Sequence, residues 1–170
     1  MARLSNKLGI DEKGLRAPRS TSVYTPRGGI GEVALCRKCG AIYRNKRWSL
    51  DEVESNQLRG EAGIGKVVCP ACQRMEDNNP AGIITLSGDY LLQHVEEILN
   101  IIKNVEAKSR AKNPLGRIME IQQERDVMTI GTTVDKLAQK LGQEIYKAHK
   151  GELHYQWSHD QEFVRVSWMR

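Results

Sequence analysis

In this 170-residue chain, the four cysteines are the residues whose type and spacing best suit metal binding. They form two Cys-x-x-Cys pairs, Cys36 with Cys39 and Cys69 with Cys72, and Gly40 follows the first pair. Two thiolates three residues apart can bind one metal ion from a tight turn, and four thiolates complete the tetrahedral coordination of Zn²⁺. Such a site has no open position for water, and its binding free energy supports folding. We therefore predict one structural, non-catalytic zinc ion.

Three other uses of the four cysteines compete with zinc. Disulfides are disfavoured in a reducing compartment. A redox role for Cys69 and Cys72 requires the first cysteine at the start of a helix in a βαβ unit, and Asn78-Asn79-Pro80 ends any such helix early. An iron–sulfur cluster uses the same number of cysteine ligands. The interval between Cys39 and Cys69 is longer than the usual ribbon spacing, and we expect its polar stretch 49–65 to be an exposed loop.

The sequence contains no pattern that predicts an enzyme. The four histidines show no mutual ligand spacing, and no Walker-type loop, dinucleotide fingerprint or nucleophile elbow is present. The histidines are His94, His149, His154 and His159. We therefore expect a protein without catalytic residues and without a small-molecule substrate.

Positive charge is concentrated in the first half of the chain. The net charge is +5 and the pI about 9.1, which favours an anionic partner such as nucleic acid. Residues 1–32 are rich in Gly, Ser, Thr, Pro and Arg and cannot bury enough apolar area to offset their ordering entropy. We predict a basic, unstructured N-terminal arm, which is either a disordered leader or a segment that becomes ordered on RNA. Its candidate RNA-binding residues are Arg3, Lys7, Arg16, Arg19 and Arg27.

A second group of candidate RNA-binding residues surrounds the first cysteine pair. Cations and aromatic rings lie close together there, a combination that suits phosphate contact and base stacking. These residues are Arg37, Lys38, Tyr43, Arg44, Lys46, Arg47 and Trp48. Lys136 and Lys140 lie on one side of a predicted helix, where they either contact phosphates or form a solvated helix face.

Hydrophobic periodicity divides the remainder of the chain into strands and helices. The predicted elements are a strand at 82–88, a helix at 89–112, strands at 118–122 and 127–131, a helix capped by Thr132 or Thr133, and a hairpin of 152–157 with 162–168. The fold class is therefore α+β: a basic unstructured arm (1–32), a four-cysteine zinc ribbon (33–80) and a ferredoxin-like (split βαβ) two-layer domain (81–170). Because neither a signal peptide nor a membrane span is evident, we expect a cytoplasmic protein with no membrane partner.

Several short motifs resemble those of a known family. After the cysteine pairs come Pro80-Ala81-Gly82-Ile83-Ile84-Thr85-Leu86-Ser87-Gly88, Val127-Met128-Thr129-Ile130-Gly131-Thr132-Thr133 before Lys136-Leu137-Ala138, Lys150-Gly151-Glu152-Leu153, and Val164-Arg165-Val166. The chain resembles small bacterial zinc-ribbon proteins. These in turn resemble the N-terminal part of the adaptor that exports the large ribosomal subunit in eukaryotes, and its archaeal counterparts. The longer relatives carry more cysteines and further domains, and export does not transfer to a bacterial-type protein.

The resemblance implies contact with the large ribosomal subunit. We expect a ribosome-associated, rRNA-binding factor that acts in ribosome hibernation or silencing, or in subunit maturation. Two alternatives of other classes remain open. One is a zinc-ribbon regulator that binds DNA or RNA away from the ribosome, and the other is a protein-interaction module that docks a partner through its helices.

Overall fold

The computed structural model describes residues 10–14, 23–24, 29–158 and 161–170, with only the backbone of residues 11 and 12. The strands are β1 (Ile10–Lys13), β2 (Val33–Cys36), β3 (Ile42–Arg44), β4 (Arg47–Ser49), β5 (Gly65–Val67), β6 (Gly82–Ser87), β7 (Ile118–Glu124), β8 (Val127–Thr132), β9 (Glu152–Trp157) and β10 (Val164–Met169). The helices are α1 (Glu52–Gly60), α2 (Pro70–Glu76), α3 (Asp89–Gln93), α4 (Val95–Lys112) and α5 (Asp135–His149). The α+β class is confirmed.

The larger sheet has six strands in the order β1-β9-β10-β6-β8-β7. Side chains alternate along its central strands, so that Ile84 and Leu86 of β6 are buried while Thr85 between them is only half-buried. The buried face packs against α4 and α5, which contribute Ile98 and Leu141 to the same core. Apolar residues at helical and strand spacing therefore meet in one two-layer core, as the periodicity predicted.

The simple ferredoxin-like arrangement is not confirmed. Helix α4 connects β6 to β7 with β8 between them, and α5 connects β8 to β9, so two split βαβ connections are present. However, β10 lies between β9 and β6 and runs parallel to β6. Two strands, β10 and β6, therefore separate the ends of the second connection, and the sheet is mixed. The C-terminal hairpin β9–β10 is the reason, since its second strand pairs with the centre of the sheet.

The smaller sheet has the order β4-β3-β2-β5, and its strand β2 ends at Cys36 of the first cysteine pair. A two-residue turn joins β3 to β4, and both of its residues, Asn45 and Lys46, have positive φ angles (51° and 61°), as expected for a tight hairpin. The stretch 49–65, predicted as an exposed loop, instead contains α1. Asp51 caps this helix by accepting a hydrogen bond from the Glu54 amide, and Leu58 is buried against the sheet.

Part of the predicted arm is ordered. Residues Ile10–Lys13 form β1, which pairs in parallel with β9, and Tyr24 is buried. The expectation of an unstructured segment is therefore wrong for these residues. The physical reason is that the edge of β9 offers backbone groups for pairing, which a strand can satisfy with little apolar periodicity of its own.

Two helix boundaries also differ from the prediction. The helix predicted over 89–112 is interrupted at His94, whose φ of −126° separates α3 from α4. Neither Thr132 nor Thr133 caps α5, because Val134 occupies the cap position and makes no side-chain capping bond.

Among the described residues, no helix combines the length and the apolarity needed to cross a bilayer.

Candidate metal centre

The structure brings the four cysteine sulfurs into one cluster in which every pair lies within 4.8 Å. The Cys36 and Cys72 sulfurs are 3.9 Å apart, and those of Cys39 and Cys69 are 3.7 Å apart. A tetrahedral ion with metal–sulfur bonds of about 2.3 Å has edges of about 3.8 Å, so the spacing fits a single ion. The same distances are far longer than a disulfide bond. The four cysteines can therefore hold one metal ion.

The first pair lies in a turn that follows β2. The Gly40 amide donates to the Cys36 carbonyl oxygen at 2.9 Å, and the Cys36 amide donates to the Ala41 carbonyl oxygen at 2.8 Å. Gly40 has a φ of +75°, and a Cβ atom added there would lie 2.7 Å from the Ser55 Oγ. Glycine is thus required both by the backbone angle and by the close approach of α1.

The second pair lies at the start of a helix and not in such a turn. Cys69 is the N-cap of α2, and its sulfur accepts a hydrogen bond from the Cys72 amide at 3.5 Å. Pro70 occupies the first helical position, where proline is favoured. A cysteine at a helix start is what a redox site requires, but this sulfur faces three other cysteines. One turn and one helix N-terminus therefore supply the two halves of the site.

The Arg117 guanidinium contacts three of the four cysteine sulfurs. Its Nη2 donates to the sulfurs of Cys39 and Cys69 at 3.3 Å and to that of Cys72 at 3.5 Å. The side chain is 9% exposed, and its Nε donates to the Pro114 carbonyl oxygen at 3.0 Å. Burial alone lowers the pKa of Arg117, but the bond to Cys72 and the thiolate charges outweigh burial and raise it. The guanidinium thus remains charged beside the sulfurs.

Contacts among the thiols shift their pKa values in opposite directions. Hydrogen bonds with Cys39 and Cys69 lower the pKa of Cys36, whereas those with Cys36 and Cys39, together with burial, raise the pKa of Cys69. Burial also raises the pKa of Cys72 against the effect of its bond from Arg117. Because like charges repel strongly in a buried site, a central cation is needed for all four thiolates to form together.

Thr133 positions the segment that carries Arg117. Its hydroxyl accepts from the Arg117 amide at 2.8 Å, and its own amide donates to the Arg117 carbonyl oxygen at 2.9 Å. Leu115 of the same segment packs against the cysteine cluster, as does Trp48 of β4. Thr133, one of the two threonines predicted to cap α5, therefore links the segment beside the cysteine cluster to the end of β8.

The structure separates the predicted RNA-binding residues of the ribbon into two groups. Arg37 and Lys38 are exposed in the turn of the first cysteine pair. Arg44, Lys46 and Arg47 are exposed at the β3–β4 turn, which the pairing of Arg44 with Val33 places at the other end of β2. Four residues of strand span about 10 Å, so the two groups lie at opposite ends of the small sheet.

The two predicted aromatic residues face each other across β3 and β4. Tyr43 pairs with Trp48, and the ring centroids are 5.2 Å apart at an angle of 55°. Both residues are half-buried. The contact between the two rings stabilises the pairing of β3 with β4.

Carboxylates neutralise some of the predicted cations. The ion pairs are Lys38–Glu76, Arg44–Glu54 at 2.5 Å and Lys140–Glu144 at 2.9 Å. Within the part of the chain that the structure describes, no carboxylate pairs with Arg37, Lys46, Arg47 or Lys136. The predicted arm residues Arg3, Lys7, Arg16, Arg19 and Arg27 lie outside the described residues.

Sequence reasoning missed two features of the site region. Arg117 lies 45 residues after Cys72, and no local pattern marks it as a neighbour of the cysteines. His94 and His149, which have no mutual ligand spacing in the sequence, come together with Glu97.

Comparison with protein-family models, with curated proteins and with solved structures finds no match to this chain.

Proposed function

We propose that this protein is a zinc-ribbon factor that binds ribosomal RNA on the large ribosomal subunit. The observation that carries the proposal is a largely buried cluster of four cysteines beside a small sheet that exposes cations at both ends. Four thiolates leave no coordination position for a substrate. The cluster therefore stabilises the ribbon, and the surrounding residues make the functional contacts.

Zinc is the ion that we assign to the cluster. The edge lengths of 3.7 and 3.9 Å match a single tetrahedral Zn²⁺ with thiolate ligands, whereas an iron–sulfur cluster places several iron and sulfide ions between its cysteines. Metal analysis of aerobically purified protein tests the assignment. One equivalent of zinc is expected, and zinc well below one equivalent would contradict it.

RNA is the partner that we infer for the exposed cations of the ribbon. Arg37 lies at one end of the ribbon, and Lys46 and Arg47 lie at the other, all exposed. Two cationic groups about 10 Å apart suit contacts with more than one phosphate of a folded RNA. The choice of the large ribosomal subunit rests on the motif resemblance, which is independent of these contacts. The corresponding location of the protein is the cytoplasm.

Sedimentation with purified large subunits tests the proposal. The full chain should migrate with the subunit in a sucrose gradient at low salt and remain at the top at high salt, since phosphate contacts release counterions. A triple variant with Arg37→Ala, Lys46→Ala and Arg47→Ala should bind more weakly. Each lost phosphate contact should reduce the slope of log K against log salt by about 1.

A matched control removes the same charge elsewhere. The variant with Lys103→Ala, Lys108→Ala and Arg110→Ala changes three exposed residues of α4 and should retain wild-type binding. Equal losses in the two triple variants would mean that net charge, and not the ribbon, governs binding. Wild-type protein that stays at the top of the gradient at low salt would refute ribosome association, and retained binding to other RNA or DNA would then favour a regulator.

A further inference from the structure

A second cluster of metal-binding side chains lies where α3, α4 and the end of α5 meet. The ligand atoms of His94, Glu97 and His149 all lie within 4.8 Å of one another. His94 Nδ1 and Glu97 Oε2 are 3.3 Å apart, which matches the edge of a tetrahedron with bonds of about 2.0–2.1 Å. The two histidines are far apart in the sequence, so only the fold brings them together.

One histidine of this cluster has a buried nitrogen without a partner. His149 is 6% exposed, and its Nε2 has no hydrogen-bond partner among the described residues. Its Nδ1 lies 3.0 Å from the Tyr90 hydroxyl. If Nδ1 donates its proton to that oxygen, Nε2 carries the lone pair, which is the arrangement found in histidines that bind metal ions.

Tyr90 also orients the second histidine. Its ring stacks on that of His94, with the centroids 4.0 Å apart and an interplanar angle of 20°. Tyr90 thus contacts both imidazoles, one through its ring and one through its hydroxyl. This contact gives the cluster a supporting shell, which metal sites need to keep their ligands in position.

The charges around the cluster partly balance. Burial lowers the pKa of His149, and His94 and Arg170 lower it further against the effect of Glu97. The Arg170 guanidinium lies 4.1 Å from the Tyr90 ring centroid and disfavours a nearby cation. The Glu97 carboxylate offsets that charge.

We propose that His94, Glu97 and His149 form a second metal site, which binds a divalent transition-metal ion such as Zn²⁺. Imidazole ligands favour this class over Mg²⁺ and Ca²⁺. Three protein ligands leave a coordination position for water, unlike the closed four-cysteine cluster. The side chains of His94 and Glu97 are 29% and 65% exposed, so an ion can reach them from solvent.

Calorimetric titration of the full chain with ZnSO₄ tests the proposal, with the four-cysteine cluster filled first by one equivalent. Wild-type protein should take up a second equivalent, and Mg²⁺ should not compete. Glu97→Gln and His149→Gln should each abolish the second binding event and leave the first equivalent in place. Tyr90→Phe should weaken the second event by about 10–100-fold. His154→Gln, which changes a histidine on β9 outside the cluster, should bind as wild type does.

The exposed position of Glu97 keeps the test independent of folding. Its substitution should not alter the thermal unfolding of the protein without added zinc, whereas that of the buried His149 can. Wild-type protein that binds only one equivalent would overturn the proposal. A second equivalent that persists unchanged in Glu97→Gln and His149→Gln would also overturn it and would identify an adventitious ion only.

Discussion

Replacement of Arg117 by methionine should weaken metal binding at the four-cysteine cluster. The change removes the N–H donors that contact three sulfurs at 3.3–3.5 Å and the positive charge beside them. A zinc ion bound by four thiolates would leave an excess of negative charge, which the Arg117 guanidinium would reduce. The chain length of methionine preserves most of the packing.

The size of the effect follows from the hydrogen bonds. A bond to a charged group contributes about 1.5–3 kcal/mol, but one nitrogen with two hydrogens is shared among three sulfurs, so the contributions do not add. Loss of such a supporting contact typically weakens metal affinity by about 10–100-fold, or about 1.4–2.7 kcal/mol. The metal affinity of Arg117→Lys should fall between those of the wild type and Arg117→Met, because lysine keeps the charge but lacks the planar guanidinium.

Competition with a chelator of known zinc affinity measures this loss. Thermal unfolding with and without excess chelator then separates metal binding from packing, because metal-binding free energy contributes to folding. The control is Arg110→Met, which removes the same charge from an exposed position near the end of α4. Wild-type zinc affinity in Arg117→Met, with an equal decrease in Tm in both conditions, would refute the reasoning and make Arg117 a packing residue alone.

Two further substitutions test other parts of the structure. Gly151→Ala should destabilise the protein by about 2–4 kcal/mol in urea unfolding, because φ is +94° and the added Cβ would lie 2.5 Å from the Met169 carbonyl oxygen; Gly60→Ala, in open space at the end of α1, should not. Two lysines, Lys147 first, lower the pKa of Glu144 from 4.5 to about 2, so its stabilisation is present above pH 4.5 and lost as the pH falls toward 2. Glu144→Gln should reduce the change in the free energy of unfolding between pH 4.5 and 2 by less than about 1 kcal/mol, since the ion pairs of Glu144 with Lys140 and Lys147 lie at the surface. An unchanged dependence on pH would contradict a stabilising role for these ion pairs.

The local elements of the larger sheet could be predicted from the sequence with little error. Periodicity placed β6, β7, β8 and β9 and the helix α5 close to their observed bounds, because a buried face repeats every second residue in a strand and every three or four in a helix. Periodicity did not reveal the helix within 49–65, because α1 has few apolar residues and only Leu58 and Ser55 of α1 are buried.

By itself, the sequence determined which four cysteines can bind a metal together, because two closely spaced cysteines can share an ion whatever follows them. Only the tertiary structure decided that Arg117 contacts the sulfurs, that β10 enters the sheet beside β6, and that His94 meets His149. The physical reason is the range of the interactions. Ligand spacing and side-chain periodicity are local, whereas the pairing of strand edges and the packing of helix ends depend on residues far apart in the chain.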